Sequence, residues 1–171
     1  SFSKEKKEKL KALGANLIGE EMLNNGKTPK EVVEWHLTNQ SFLKKDYFYT
    51  DQFNNIGSYL AHLETGNEIA GQLDKYYSQL EEIILIGCAG TGASFAGVSD
   101  SLENNGYKVT RVLVEPKGCD SKNNIFIDHP MEGMSVGVKA PFINWEKIDE
   151  YYYAEIEKLD CSKDRKSTRL N

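Results

Sequence analysis

The sequence predicts an α/β fold in which a mostly parallel sheet is flanked by helices. The main observation is a βαβ pattern between residues 81 and 116. A β-branched run, EEIILIG, is followed by a helical stretch, TGASFAGVSDSLENNG, and then by an alternating strand pattern, YKVTRVLVEP. The unit has the length, about 35 residues, that a crossover between two parallel strands requires.

The N-terminal part of the chain predicts helices separated by short strands. Residues 3–13 form a charged helical pattern that ends at Gly14, which suits a left-handed C-terminal cap. Thr28 and Pro29 are typical of an N-cap and a first helical position, so they predict a helix over residues 28–40. Two short strands and a turn-rich loop are also predicted, over residues 15–19 (ANLIG), 46–50 (DYFYT) and 51–58.

Two further regions flank the βαβ unit. Before it, a helical pattern begins near Ser58 and begins again through GNEIAGQLDKYYSQL. After it, a glycine-punctuated loop precedes the run Tyr151–Tyr153, which predicts a half-buried strand. The polar, basic residues 161–171 show no periodicity, and we expect a disordered or non-native tail there.

Composition restricts the classes of function. The 171 residues carry a net charge of -5, with 39% hydrophobic and 27% charged residues, as in soluble globular proteins. This charge argues against a general nucleic-acid partner. The longest apolar run, Ile83–Ala89, is far shorter than the ~20 residues that span a bilayer, so we expect a cytoplasmic protein. The three cysteines are widely separated, and neither a disulfide framework nor a metal site is predicted.

The segment CAGTGASFAG lies between a strand and a helix, where phosphate-binding loops occur. A nucleotide P-loop would match Gly87, Gly92 and Ser94, but Ala93 occupies the position of its lysine. Gly87, Ala89 and Gly92 match a dinucleotide-binding loop only in degenerate form, with Glu115 as the acid that binds the ribose.

A third interpretation is a site for a single phosphate monoester. It needs only backbone N–H groups at a helix N-terminus and the hydroxyls of Thr91 and Ser94. Such a site requires neither a lysine nor a metal, and pyridoxal phosphate is a cofactor that suits it. The alternative without a ligand is a glycine-rich turn that serves packing alone.

Five blocks in order resemble the cysteine synthase and cystathionine β-synthase family of pyridoxal-phosphate enzymes. EKLKALGANLI resembles a helix end and the strand after it, and DQFNNIGSYLAHLETGNEI resembles the family block that contains Gln52 and His62. GTGAS resembles the phosphate loop GTGGT. VEP and EGMSVGVKAP resemble the next strand and a later glycine-rich loop, in which Ser135 replaces a usual glycine.

The resemblance implies the tryptophan-synthase β-type fold, present here in incomplete form. Residues 1–50 would be the remainder of a smaller N-terminal lobe, residues 51–160 part of a larger cofactor-binding lobe, and residues 161–171 the tail. It also implies a parent enzyme that is a homodimer and binds a small amino-acid substrate, with no nucleic-acid or membrane partner.

The resemblance assigns roles residue by residue. The phosphate of pyridoxal phosphate would be held by Gly90, Thr91, Gly92, Ala93 and Ser94. Gln52 and Gly133 would contact the substrate, although Gln52 could equally cap a turn. The lysine that binds the cofactor covalently is expected upstream of this sequence, so no catalytic residue is assigned and the chain alone is expected to be inactive.

The parent reaction would be β-substitution or β-elimination on O-acetylserine or a serine-type substrate, with sulfide or a thiol as nucleophile. The alternatives are a nucleotide- or dinucleotide-binding α/β module without pyridoxal phosphate, or a non-catalytic fragment.

Overall fold

The computed structural model describes residues 4–155, and the chain divides into two compact units between Thr50 and Asp51. Within its described residues the first unit contains four helices, α1 (Lys4–Ala12), α2 (Glu20–Asn24), α3 (Pro29–Thr38) and α4 (Gln40–Leu43). The second unit runs α5 (Gly57–Tyr76), β1 (Glu82–Cys88), α6 (Ala93–Asn104), β2 (Lys108–Pro116) and β3 (Glu150–Ala154). Two short 3₁₀ turns, Ser121–Asn123 and Trp145–Lys147, lie between β2 and β3.

Helix boundaries in the first unit follow the predicted capping residues. Gly14 has a φ of 85°, and the N–H of Ala15 donates to the carbonyl of Leu10, as in a Schellman cap. At the start of α3 the N–H of Glu31 donates to Thr28 Oγ1, and the N–H of Thr28 donates to Glu31 Oε2. This reciprocal capping box confirms Thr28 as the N-cap and Pro29 as the first residue of the helix.

Both strands predicted in the first unit were wrong. Residues 15–19 and 46–50 are irregular, and no strand occurs anywhere in residues 4–50. An extended segment needs a neighbouring strand to satisfy its backbone, and aromatic or β-branched composition cannot supply one. Phe48 illustrates the result, because its side chain is 88% exposed rather than packed on a sheet.

The second unit is built on a three-stranded parallel sheet in the order β1-β2-β3. The pairs Ile84 with Thr110 and Leu113 with Tyr151 define its register. The βαβ unit, the aromatic strand and the α/β class are thus confirmed. The sheet brings the carboxyl ends of β1 and β2 together, which is where the glycine-rich loop begins.

Helices α5 and α6 pack closely at two glycines. A Cβ atom on Gly66 of α5 would lie 2.4 Å from Ser101 Cβ, and one on Gly97 of α6 would lie 2.7 Å from His62 Cβ. The predicted restart of the helix near residue 66 is absent, since α5 is continuous from Gly57 to Tyr76. Gly66 therefore serves helix packing and does not end a helix.

The core of the second unit consists of two apolar clusters on the side of the sheet that α6 covers. The first cluster contains Phe95, Leu113, Ala140 and Ile143. The second contains Ala70, Leu102 and Tyr107, whose hydroxyl donates to Asp74 Oδ1. The first cluster lies beside the start of α6, so it fixes the loop that leads into this helix.

A charged cluster joins the middle of α6 to β2. The guanidinium of Arg111, which is 5% exposed, contacts Asp100 Oδ1 at 3.1 Å and Glu103 Oε2 at 2.9 Å. Lys147 contacts the same two oxygens, at 3.0 and 2.8 Å. Its hydrogen bonds to Glu103 and Asp100 raise the pKa of Lys147, and those from Lys147 and Arg111 lower the pKa of Glu103.

Candidate phosphate-binding site

The candidate site is the loop that follows β1 and leads into α6, at the carboxyl edge of the parallel sheet. Gly92 is the residue before α6 and has a φ of 83°, in the left-handed region. A Cβ atom there would lie 2.5 Å from Ile143 Cγ1. Both conformation and space therefore require glycine, and the loop is held in one shape by the first apolar cluster.

The loop presents hydrogen-bond donors of the kind that bind phosphate. The first N–H groups of an α-helix have no acceptor inside the helix and lie at its positive end. Here the N–H of Ala93 approaches Thr91 Oγ1 at 3.4 Å. Within residues 4–155 no acceptor is found for the N–H groups of Gly92 and Ser94. The side chain of Ser94 is exposed and that of Thr91 is half-buried, so both hydroxyls lie at the same loop as these donors.

Ala93 stands where the family phosphate loop GTGGT has a glycine, and the environment of Ala93 explains why a methyl group is tolerated. The residue is 2% exposed, so the methyl lies inside the protein. Its N–H keeps its place in the first turn of α6. The loop thus retains its backbone donors.

A second loop lies directly against the first. The N–H of Ser135 donates to the carbonyl of Ala89 at 3.0 Å, and the N–H of Phe142 donates to the carbonyl of Thr91 at 3.1 Å. A Cβ atom on Gly90 would lie 2.7 Å from the carbonyl oxygen of Gly133. The structure therefore brings Gly133 next to the predicted phosphate loop, and the contact allows no side chain on Gly90.

Gln52 is placed differently. It is exposed, in the turn that precedes α5. Among the described residues no hydrogen bond joins it to the phosphate loop. The structure groups Gly90–Ser94 with Gly133 and leaves the role of Gln52 a prediction.

Glu115, the acid required by the dinucleotide interpretation, is enclosed by protein. It is 2% exposed, its oxygens accept the N–H of Ser121 at 3.1 and 3.4 Å, and Oε1 accepts the hydroxyl of Ser135 at 3.2 Å. A carboxylate in this position is not available to ribose hydroxyls. Burial first, and then the charges of Glu115 and Asp120, raises the pKa of Tyr151, whose hydroxyl has no partner within residues 4–155.

Sequence reasoning missed the residues that fix the two loops. Ile143 and Phe142 contact the phosphate loop across about 50 residues of sequence, and no local pattern indicates such a contact. The one sequence signal for these contacts was Ser135, which replaces a glycine that is usual in the resembling family. A side chain at such a position indicates a contact that glycine cannot make.

Comparison with known proteins identifies the family. The model of the pyridoxal-phosphate dependent enzyme family matches residues 1–161. No curated protein matches the sequence. Because this match covers most of the sequence, the chain belongs to the family of pyridoxal-phosphate dependent enzymes. Pyridoxal phosphate is accordingly the cofactor of the family.

Solved structures with the same fold include cysteine synthase from Entamoeba histolytica, with a TM-score of 0.69 and 23% identity over 92% of this chain and 44% of that one. O-acetylserine dependent cystathionine β-synthase from Helicobacter pylori gives a TM-score of 0.66 and 24% identity, over 92% of this chain and 49% of that one. A hydrogen sulfide-producing enzyme from Fusobacterium nucleatum gives a TM-score of 0.56 and 26% identity, over 74% of this chain and 42% of that one. The chain thus spans less than half the length of each of these three proteins.

Two further observations complete the description. No helix in residues 4–155 has the length and apolar character that a bilayer crossing needs. The predicted tail, residues 161–171, lies outside the described residues.

Proposed function

We propose that this chain is the phosphate-binding part of an enzyme that uses pyridoxal phosphate to exchange or remove the β-substituent of an amino acid. The observation that carries the proposal is the loop Gly90–Ser94 at the start of α6, which has two hydroxyls and in which the N–H groups of Gly92 and Ser94 have no acceptor within residues 4–155. The donor set suits a dianionic monoester, and it needs no metal or lysine. The proposed substrate is of the O-acetylserine or serine type, with sulfide or a thiol as nucleophile. The O-acetylserine dependent enzyme among the structural neighbours supports this substrate class.

Each group in the chain has a defined part in this proposal. Gly90, Thr91, Gly92, Ala93 and Ser94 hold the phosphate through N–H groups and hydroxyls. Gly133, which lies beside Gly90, contacts the substrate, and Gln52 lies near the carboxylate of the substrate. When bound, pyridoxal phosphate supplies an electron-accepting ring, and the protein orients it.

The division of the chain fits the same scheme. Residues 1–50 correspond to a smaller lobe and residues 51–160 to a cofactor lobe, which the boundary between Thr50 and Asp51 supports. The cofactor-linking lysine belongs to a part of the enzyme outside these 171 residues, and the parent is a cytoplasmic homodimer in cysteine metabolism. The chain alone therefore forms no cysteine from O-acetylserine and sulfide, and measurable turnover would contradict this expectation.

The test is a titration of pyridoxal phosphate into the 171-residue chain, followed by thermal unfolding. At about 100 times the dissociation constant, binding stabilises the folded state by about 2.7 kcal/mol, which raises the Tm by several degrees. We expect the rise to be lost in Thr91→Ala and Ser94→Ala but kept in Thr65→Ala, because Thr65 is exposed on α5. Pyridoxal, which lacks the phosphate, is the ligand control.

NAD and ATP are tested in the same titration. A chain that is not stabilised by pyridoxal phosphate, but is stabilised by NAD or ATP, would overturn the proposal and favour a nucleotide- or dinucleotide-binding module.

A further inference from the structure

Ser135 occupies a strained position between the two loops of the candidate site. Its φ is 45°, in the left-handed region that residues with a side chain seldom adopt, and it is 5% exposed. Its N–H holds the carbonyl of Ala89, and its own carbonyl lies 3.2 Å from His129 Nε2. Strain of this kind persists only where the surroundings fix the residue, and it occurs often at binding sites.

The side chain of Ser135 is the donor in a buried chain of hydrogen bonds. The hydroxyl of Ser121 donates to Ser135 Oγ at 3.4 Å, and the hydroxyl of Ser135 donates to Glu115 Oε1 at 3.2 Å. The N–H of Ser121 also donates to Glu115. Glycine would adopt the same backbone conformation without strain but would leave this bond to Glu115 unmade.

Glu115 is the acceptor at which three segments meet. It is the residue before the last of β2, and it accepts hydrogen bonds from the 3₁₀ turn at Ser121 and from the loop at Ser135. No ion pair of Glu115 is found within the described part of the chain, so these hydrogen bonds are what satisfy its buried oxygens. Removal of one partner from such a buried hydrogen bond costs free energy, because the remaining polar group is left buried and unsatisfied.

We propose that Glu115 and Ser135 form a positioning pair that presses the Gly133–Ser135 backbone against the phosphate loop and so sets the affinity of that loop for a phosphate monoester. The inference rests on the proposed function, since it concerns the same loop. Neither side chain touches the ligand. The pair acts through the bond from Ser135 N–H to Ala89 and through the contact of Gly133 with Gly90, which keep the N–H groups of Gly92 and Ser94 aligned.

The experiment measures binding of pyridoxal phosphate and of inorganic phosphate by calorimetry to the full chain. The variants are Glu115→Gln, Ser135→Ala and the double variant. Each single variant should weaken binding of both ligands about tenfold, because Ser135→Ala removes the hydrogen bond and Glu115→Gln removes the carboxylate charge that strengthens it and one of its two acceptor oxygens. The double variant should be no weaker than either single one by more than about twofold, because the two residues act as one unit.

Two controls separate positioning from general stability. Tyr107→Phe removes a hydrogen bond in the second apolar cluster, so it should lower the Tm while leaving both affinities unchanged. Hydrogen exchange of the Ser135 amide should become about tenfold faster in Glu115→Gln, because the hydrogen bond from this N–H to the carbonyl of Ala89 weakens. Ser135→Gly keeps the test decisive if Glu115→Gln does not fold, because glycine relieves the backbone strain and, by removing the CH₂OH side chain, also removes the hydrogen bond to Glu115.

The results distinguish a failure of the positioning pair from a failure of the proposed function. Binding by the unsubstituted chain, with affinities kept within about twofold in Glu115→Gln or Ser135→Gly, would overturn the positioning pair and leave the proposed function intact. Losses that multiply in the double variant would likewise reject a joint action. An unsubstituted chain that binds neither ligand would overturn both.

Discussion

The two faces of the three-stranded sheet carry similar apolar side chains in very different surroundings. On the face that α6 covers, Leu113 of β2 is 1% exposed. On the opposite face Ile84 and Ile86 of β1 are 66% and 65% exposed, and Tyr152 of β3 is 63% exposed. Side chains alternate between the faces of a strand, so neighbours in sequence fall on opposite sides. Composition alone therefore does not indicate which isoleucine or leucine stabilises the fold.

The largest expected difference between the faces concerns apolar truncation. Leu113→Ala removes a side chain packed between Phe95 and Ile143 and should lower the free energy of unfolding by about 3 kcal/mol. Ile86→Ala, on the open face of the same sheet, should lower it by less than about 1 kcal/mol. Urea denaturation of both variants measures the contrast. Equal losses would mean that the open face is covered in solution.

The next difference concerns charge. Arg111→Met breaks a buried contact with Asp100 and Glu103 and should cost about 2 kcal/mol, less than a fully buried pair because Lys147 still contacts both carboxylates. The matched variant Lys108→Met breaks an exposed pair with Glu82 and should leave the free energy of unfolding nearly unchanged. A similar cost for both, again by urea denaturation, would show that burial of Arg111 has no energetic role.

A smaller effect is expected at the glycines of α5. Gly66→Ala places a methyl 2.4 Å from Ser101 Cβ and 3.0 Å from the carbonyl of Val98, so it should destabilise by about 1–2 kcal/mol. Gly71→Ala meets no atom within 4 Å and should stabilise the same helix by about 0.5–1 kcal/mol. Thermal unfolding of the two variants tests the sign. Stabilisation by both would refute the close packing of α5 on α6.

The smallest effect is a pH dependence of the charged cluster. The pKa of Glu103 is lowered from its usual 4.5, so its stabilisation is complete above that pH and is lost as the pH falls through the lowered pKa. The pKa of Lys147 is raised from 10.5, so its share is complete below that pH and is lost as the pH rises through the raised pKa. Between these limits Glu103→Gln should cost about 0.5 kcal/mol, because the side chain is partly solvated.

The measurement is urea denaturation of the natural chain and of Glu103→Gln at several pH values. The two curves should converge in acid. A difference that stays constant down to the lowest accessible pH would show that the Glu103 charge does not contribute.

Local patterns predicted those parts of the fold that depend on neighbours in sequence. The caps at Gly14 and Thr28, the strands β1 and β2 and the loop before α6 all follow from residues within one or two turns. The strands expected at residues 15–19 and 46–50 failed because a strand depends on a partner that composition does not reveal. The contact between Glu115 and Ser135 spans 20 residues, so only the folded chain shows it.

The close contact of α5 with α6 also bears on how freely this sequence can change through evolution. Gly66 and Gly97 act by the volume they leave empty, and every other amino acid is larger. Most core positions accept several apolar residues of similar size. In a library of all single substitutions selected for folded protein, these two glycines should therefore be among the least variable positions, less variable than the exposed hydroxyl of Ser94 at the candidate site.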